Sequence, residues 1–151
     1  MSDPNENGPR VQPRPVVFSQ KNQPSNAGKS ILLRGDKQGG EAVSDRELLA
    51  FAAKAAGIRI NHWVYDDLDY SPAVLEAGGT WHPLADDGDA LRLAVKLGLC
   101  VSACEKRKDT MVGYSLEDKG YNLMEDWDAD PYAATRRAIV RAAAEIGRNM
   151  K

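Results

Sequence analysis

From residue 44 onward, the spacing of apolar residues switches repeatedly between the period of a helix and that of a strand. Ser44-Asp45-Arg46-Glu47 is an S-x-x-E capping box, in which the Ser44 hydroxyl and the Glu47 carboxylate accept from each other's backbone amides. Leu48, Phe51, Ala52 and Ala55 follow at spacings of three and four, and Gly57 offers a left-handed stop, so a helix is predicted over 45–56. Residues 58–65 alternate in chemistry and are rich in β-branched and aromatic types, which predicts a strand or extended edge segment, ended by Asp66-Asp67-Leu68-Asp69. Further on, Pro83 bars a helix upstream and Asp86 or Asp87 can cap the one that follows. Leu91, Leu93, Ala94, Val95 and Leu97 cover most of its circumference, broken only by Arg92 and Lys96. A largely buried helix ending at Gly98 is the expectation.

Three strands come next, over 99–104, about 110–116 and about 121–127, joined by the polar connectors 105–109 and 117–120, which have the length and character of hairpin turns. Asp130-Pro131 then opens a last helix with a capping carboxylate and a proline in the first turn. Its residues Tyr132, Ile139, Ala143, Ile146 and Met150 project onto one stripe, with Arg137, Arg141, Glu145 and Arg148 roughly opposite. The fold class implied is α+β: a three- to four-stranded antiparallel sheet with helices on both faces, an α-β-α sandwich over 44–151.

Residues 1–43 are different in kind. They hold five of the eight prolines, five of the thirteen glycines and one aromatic, Phe18, and such a stretch buries too little apolar area to offset its chain entropy. A disordered, Pro/Gly-rich arm is expected there, with Val16-Val17-Phe18 and Ile31-Leu32-Leu33 as its two segments able to pair with a sheet edge. The arm's six basic and four acidic residues leave fourteen basic and eighteen acidic for residues 44–151, so the folded part is mildly acidic. That balance argues against a nucleic-acid cloak. No apolar run reaches the roughly 18–20 residues of a membrane span, and the N-terminus lacks the apolar segment of a secretory signal, so the expected compartment is the cytoplasm.

Three blocks of the chain, Glu47 to Ile58, Trp81 to Leu97 and Ala133 to Gly147, resemble in order the small phage and prophage proteins grouped as the phage ABA sandwich domain family. The resemblance spans about 45–148. It implies a single sheet with helices on both faces and a setting in temperate phages, and it implies no particular chemistry.

The polar residues offer few reactive constellations. Gly28-Lys29-Ser30 ends like a phosphate-binding loop, but the position five residues before Gly28 is Gln23 where that loop needs glycine. Trp81 and His82, with Asp86, Asp87 and Asp89, form the densest polar cluster, at a helix start where an imidazole could serve as base or ligand. The spacing matches neither a zinc-protease helix nor a calcium loop, and capping with core packing accounts for it. Cys100 and Cys104 lie about 13 Å apart on one strand at roughly 3.3 Å per residue, too far to bridge each other or share a metal, and are expected as buried small hydrophobes. Paired with His62 they would make only a paper nucleophile and base.

Two basic groups remain: Lys106, Arg107 and Lys108 at a hairpin tip, and the last-helix arginines Arg136, Arg137, Arg141 and Arg148. Solvated surfaces account for both. The helix–three strands–helix order also resembles double-stranded-RNA-binding domains, yet Asp126, Asp128 and Asp130 crowd the helix start and would repel phosphate. The expectation is therefore a non-enzymatic protein with no cofactor and no metal that binds another macromolecule, a host or phage protein. Its candidate binding residues are Lys106, Arg107, Lys108, Arg137, Arg141, Arg148, Trp81 and His82. A nucleic-acid or nucleotide-binding module using the hairpin tip and the last-helix arginines is the alternative.

Overall fold

The computed structural model describes residues 31–34, 43–64 and 72–151. In chain order the elements are β1 (Ile31–Arg34), α1 (Asp45–Ala56), β2 (Ile60–Trp63), β3 (Ala73–Leu75), β4 (Thr80–Trp81), α2 (Asp87–Lys96), β5 (Cys100–Cys104), β6 (Asp109–Leu116), β7 (Lys119–Asp126) and α3 (Pro131–Asn149). The α+β class stands. Val16-Val17-Phe18 and Gly28-Lys29-Ser30 lie outside the described residues.

Local chemistry sets the helix ends. The Ser44 hydroxyl accepts from the Glu47 amide at 3.2 Å, the Asp86 carboxylate from the Asp89 amide at 2.7 Å, and the Asp130 carboxylate from the Tyr132 amide at 2.8 Å. Gly57 closes α1 at φ +60°, where its amide reaches the Ala53 and Lys54 carbonyls.

β5, β6 and β7 form an antiparallel meander, and β1 lies parallel along the outer side of β7, with Ile31 opposite Tyr121 and Arg34 opposite Met124. The β6–β7 turn places both Glu117 and Asp118 at positive φ, the backbone of a two-residue type I′ hairpin turn, whose twist matches the flanking strands. A second, small antiparallel sheet runs β2-β3-β4. Only its first strand was legible as such, because three residues (Ala73–Leu75) and two residues (Thr80–Trp81) are too short to display alternation.

The layering departs from the expected sandwich. The middle position belongs to α3, which packs on β6 and β7 through one side and on α1 and α2 through others. Residues buried all around its circumference make this possible: Ala134, Ala138, Ile139, Val140, Ala142, Ala143, Ala144 and Gly147. Most are small, so backbones approach closely from more than one direction. Among the described residues α3 is the helix in extensive contact with the large sheet, whereas helices on both sheet faces were expected. The stripe read from Tyr132 to Met150 is corrected in the same way, because Tyr132 is 69% exposed and Met150 is exposed too.

The core is one cluster. It joins Leu48, Leu49 and Ala52 of α1, Leu93 of α2, Val112, Tyr114 and Leu123 of the sheet and Ala138, Ala142, Ala143 and Ala144 of α3, with Ala73 and Trp81 from the small sheet. Tyr114 and Tyr121 stack across β6 and β7 with ring centroids 5.6 Å apart.

Candidate functional site

The cluster at the start of α2 is built inward. Trp81 is buried in the core, the amide of His82 donates to Asp89 Oδ2 at 2.8 Å, and Asp89 Oδ1 accepts from Arg92 Nη2 at 2.9 Å. Asp86 caps the helix and Asp87 accepts from Arg136 Nη1 at 2.6 Å. Each of these acids therefore serves the fold: Asp86 and Asp89 tie the turn to the helix it starts, and Asp87 ties that helix to α3. Burial holds the His82 imidazole below its usual pKa, against the opposing pull of Asp89, Asp45 and Asp86. Among the described residues, no group of three or more His, Cys, Asp or Glu side chains is placed to hold a metal ion.

The arginines of α3 face carboxylates of the same chain. Arg141 pairs with Glu125 of β7, and Arg137 reaches Asp45 at 3.3 Å and Glu125 at 3.9 Å. Arg148 pairs with Glu145 at 2.8 Å, its guanidinium 5.1 Å from the Phe51 ring centroid. Arg136, with its side chain only 15% exposed, donates to the Leu84 carbonyl as well as to Asp87. Sequence projection placed these cations on a solvated face. The structure makes them ties between α3 and its neighbours, with their charge already matched.

At the β5–β6 turn, Arg107 Nε donates to the buried Asp109 at 2.9 Å, and that hydrogen bond raises the arginine pKa further. Lys108, at φ +57°, pairs with Glu105 and lies 5.9 Å from the centroid of the Trp127 ring. Lys106 is exposed at the tip. The candidate residues thus fall in three separate places: a core-packed helix start, a helix tied to its neighbours, and a hairpin tip.

Two features escaped sequence reasoning. Leu91 and Val95 of α2, expected to be buried, are 63% and 74% exposed. Ala90, Leu93 and Ala94 bury the opposite side of the same helix. Apolar residues all round a helix looked like burial, but α2 packs mainly on α3, from one direction. Four residues apart, Leu91 and Val95 form one apolar strip on the outer face. The cysteines are likewise corrected: Cys100 is exposed and Cys104 half-buried, because β5 is the edge of its sheet.

Among the described residues no helix is long and apolar enough to cross a membrane. Compared with family models, with curated proteins and with solved structures, the chain matches none of them.

Proposed function

We propose that this chain is a non-enzymatic binding protein of the kind temperate phages and prophages carry, and that it acts by docking a host protein in the bacterial cytoplasm. Interference with host defence or regulation is the setting this reading gives it. The observation that carries it is the exposed pair Leu91 and Val95, two aliphatic side chains one helical turn apart and both more than half exposed. Isolated apolar residues on a surface are ordinary, but an i, i+4 pair on a helix is the unit from which helix-mediated recognition is built.

Apart from Lys106, the nucleic-acid alternative draws its cations from residues already paired with carboxylates. A phosphate recruited to Arg137, Arg141 or Arg148 must compete with Asp45, Glu125 or Glu145 for the same guanidinium. Salt separates the two readings, since phosphate contacts weaken steeply from low to moderate ionic strength. Affinity capture with the full chain as bait tests the proposal. An equimolar protein partner supports it, and repeated failure to enrich one overturns it.

A further inference from the structure

β5 ends the large sheet, beyond β6, and among the described residues no strand pairs with its outer side. Its sequence, Cys100-Val101-Ser102-Ala103-Cys104, contains no charge and no proline. Those are the devices by which exposed edges ordinarily block pairing with another chain, and this edge lacks both. Four of its five residues are exposed, Val101 at 39% among them. The strand is also palindromic in character about Ser102, with a cysteine at each end and a small apolar residue on either side of the centre.

We propose that β5 pairs antiparallel with β5 of a second copy of this chain, centred on Ser102, to give a two-fold dimer with one continuous sheet. A two-fold interface brings the same patch of both subunits together, so residue i meets j and j meets i. Here Ser102 meets Ser102, Val101 meets Ala103, and Cys100 meets Cys104. The apolar side chains come together on the face that carries Val112 and Thr110, the neighbours of Val101 and Ala103 on β6. The cysteines come together on the opposite face, beside Gly113 and Asp109. This dimer is independent of the Leu91–Val95 strip and stands whether or not a host protein docks there.

The pairing sets a thiol geometry that a single chain lacks. Directly opposed residues of an antiparallel pair have Cα atoms about 4.5–5.5 Å apart, within the roughly 4.4–6.8 Å span of disulfides. Oxidation by diamide, which accepts two electrons and two protons for each S–S bond formed, should therefore link Cys100 of one chain to Cys104 of the other.

The test uses full-length chains carrying Cys100→Ser or Cys104→Ser. Each variant alone lacks the opposing thiol and should remain a single chain on a non-reducing gel after diamide treatment. An equimolar mixture should give a covalent dimer, because Cys104 of the first variant then meets Cys100 of the second. Sedimentation of the reduced wild-type chain should show twice the chain mass, and Ser102→Lys, which sets two lysines directly opposite each other, should return it to a monomer with unchanged circular dichroism. A monomeric reduced wild type, or single variants that cross-link as readily as their mixture, would overturn the proposal.

Discussion

Gly147 of α3 meets the backbone of Phe51 in α1 with no room for a side chain. A Cβ placed on Gly147 would lie 2.8 Å from the Phe51 carbonyl carbon, closer still to its oxygen, and 3.3 Å from the Ala55 amide nitrogen. Backbone cannot swing away as a side chain can, so Gly147→Ala must push the two helices apart. Because that contact joins the central helix to α1, the substitution should cost about 1–3 kcal/mol or more, read as a lower urea midpoint with the slope unchanged. A variant as stable as the parent would mean that α1 and α3 do not meet this closely.

Thr110 of β6 is fully buried and sits at the centre of a partly buried polar chain. Trp127 Nε1 donates to Thr110 Oγ1 at 2.8 Å, Thr110 Oγ1 lies 2.8 Å from Thr135 Oγ1, and the Thr135 hydroxyl donates to the Pro131 carbonyl at 2.8 Å. A carbonyl only accepts, so the Thr135 proton points to Pro131 and Thr110 must donate to Thr135. Thr110→Val keeps the shape but strands the indole N–H. The loss should be about 1–3 kcal/mol by urea denaturation, with Trp127→Phe costing less when combined with Thr110→Val than alone.

The pairing of Arg141 with Glu125 gives a third. Both side chains are largely shielded from solvent, so Arg141→Met leaves the Glu125 carboxylate with only the more distant Arg137 and should cost about 1–3 kcal/mol, between the values for exposed and buried pairs. Glu125→Gln in the same chain should restore part of it. Retention on a heparin column should scarcely change, because this cation serves the fold. A sharp fall in retention with full stability would return the arginines of α3 to the nucleic-acid reading.

His82 supplies the pH dependence. Above its ordinary value of about 6.5 the imidazole is neutral in both folded and unfolded chains and contributes no slope. On acidification the unfolded chain takes up a proton that burial makes the folded chain resist, so this residue costs stability progressively from about pH 6.5 downward. His82→Gln should therefore give a flatter urea midpoint than the parent between about pH 7 and about pH 5. Identical slopes would remove His82 from the account.

The sequence made legible whatever depends on neighbours in the chain. Ser44 and Asp130 cap the helices they were expected to cap, Asp86 is the cap of the two aspartates left open for α2, and the alternation in 110–116 and 121–127 found the two long strands. It failed where the outcome depends on which direction a partner comes from. Leu91 and Val95 carry the same apolar signal as Leu93, and only the approach of α3 from one side decides that Leu93 is buried while they are not. Likewise, the projected stripe of α3 included only Ala143 among its alanines, yet the small size of Ala134, Ala138, Ala142 and Ala144 as well is what lets that helix occupy the middle of the fold. For the same reason, Arg137 and Arg141 projected onto an outer face, and only the position of Glu125 on β7 shows what they hold.

Capture from a nuclease-treated bacterial lysate, at low and at moderate salt, with the full-length chain and its Leu91→Lys/Val95→Lys variant as parallel baits, bears most directly on the claim that this is a protein-docking surface. One equimolar protein should stay with the parent chain at both salt concentrations and be lost from the variant. Equal recovery by both baits, or capture that disappears on raising the salt, would contradict that claim.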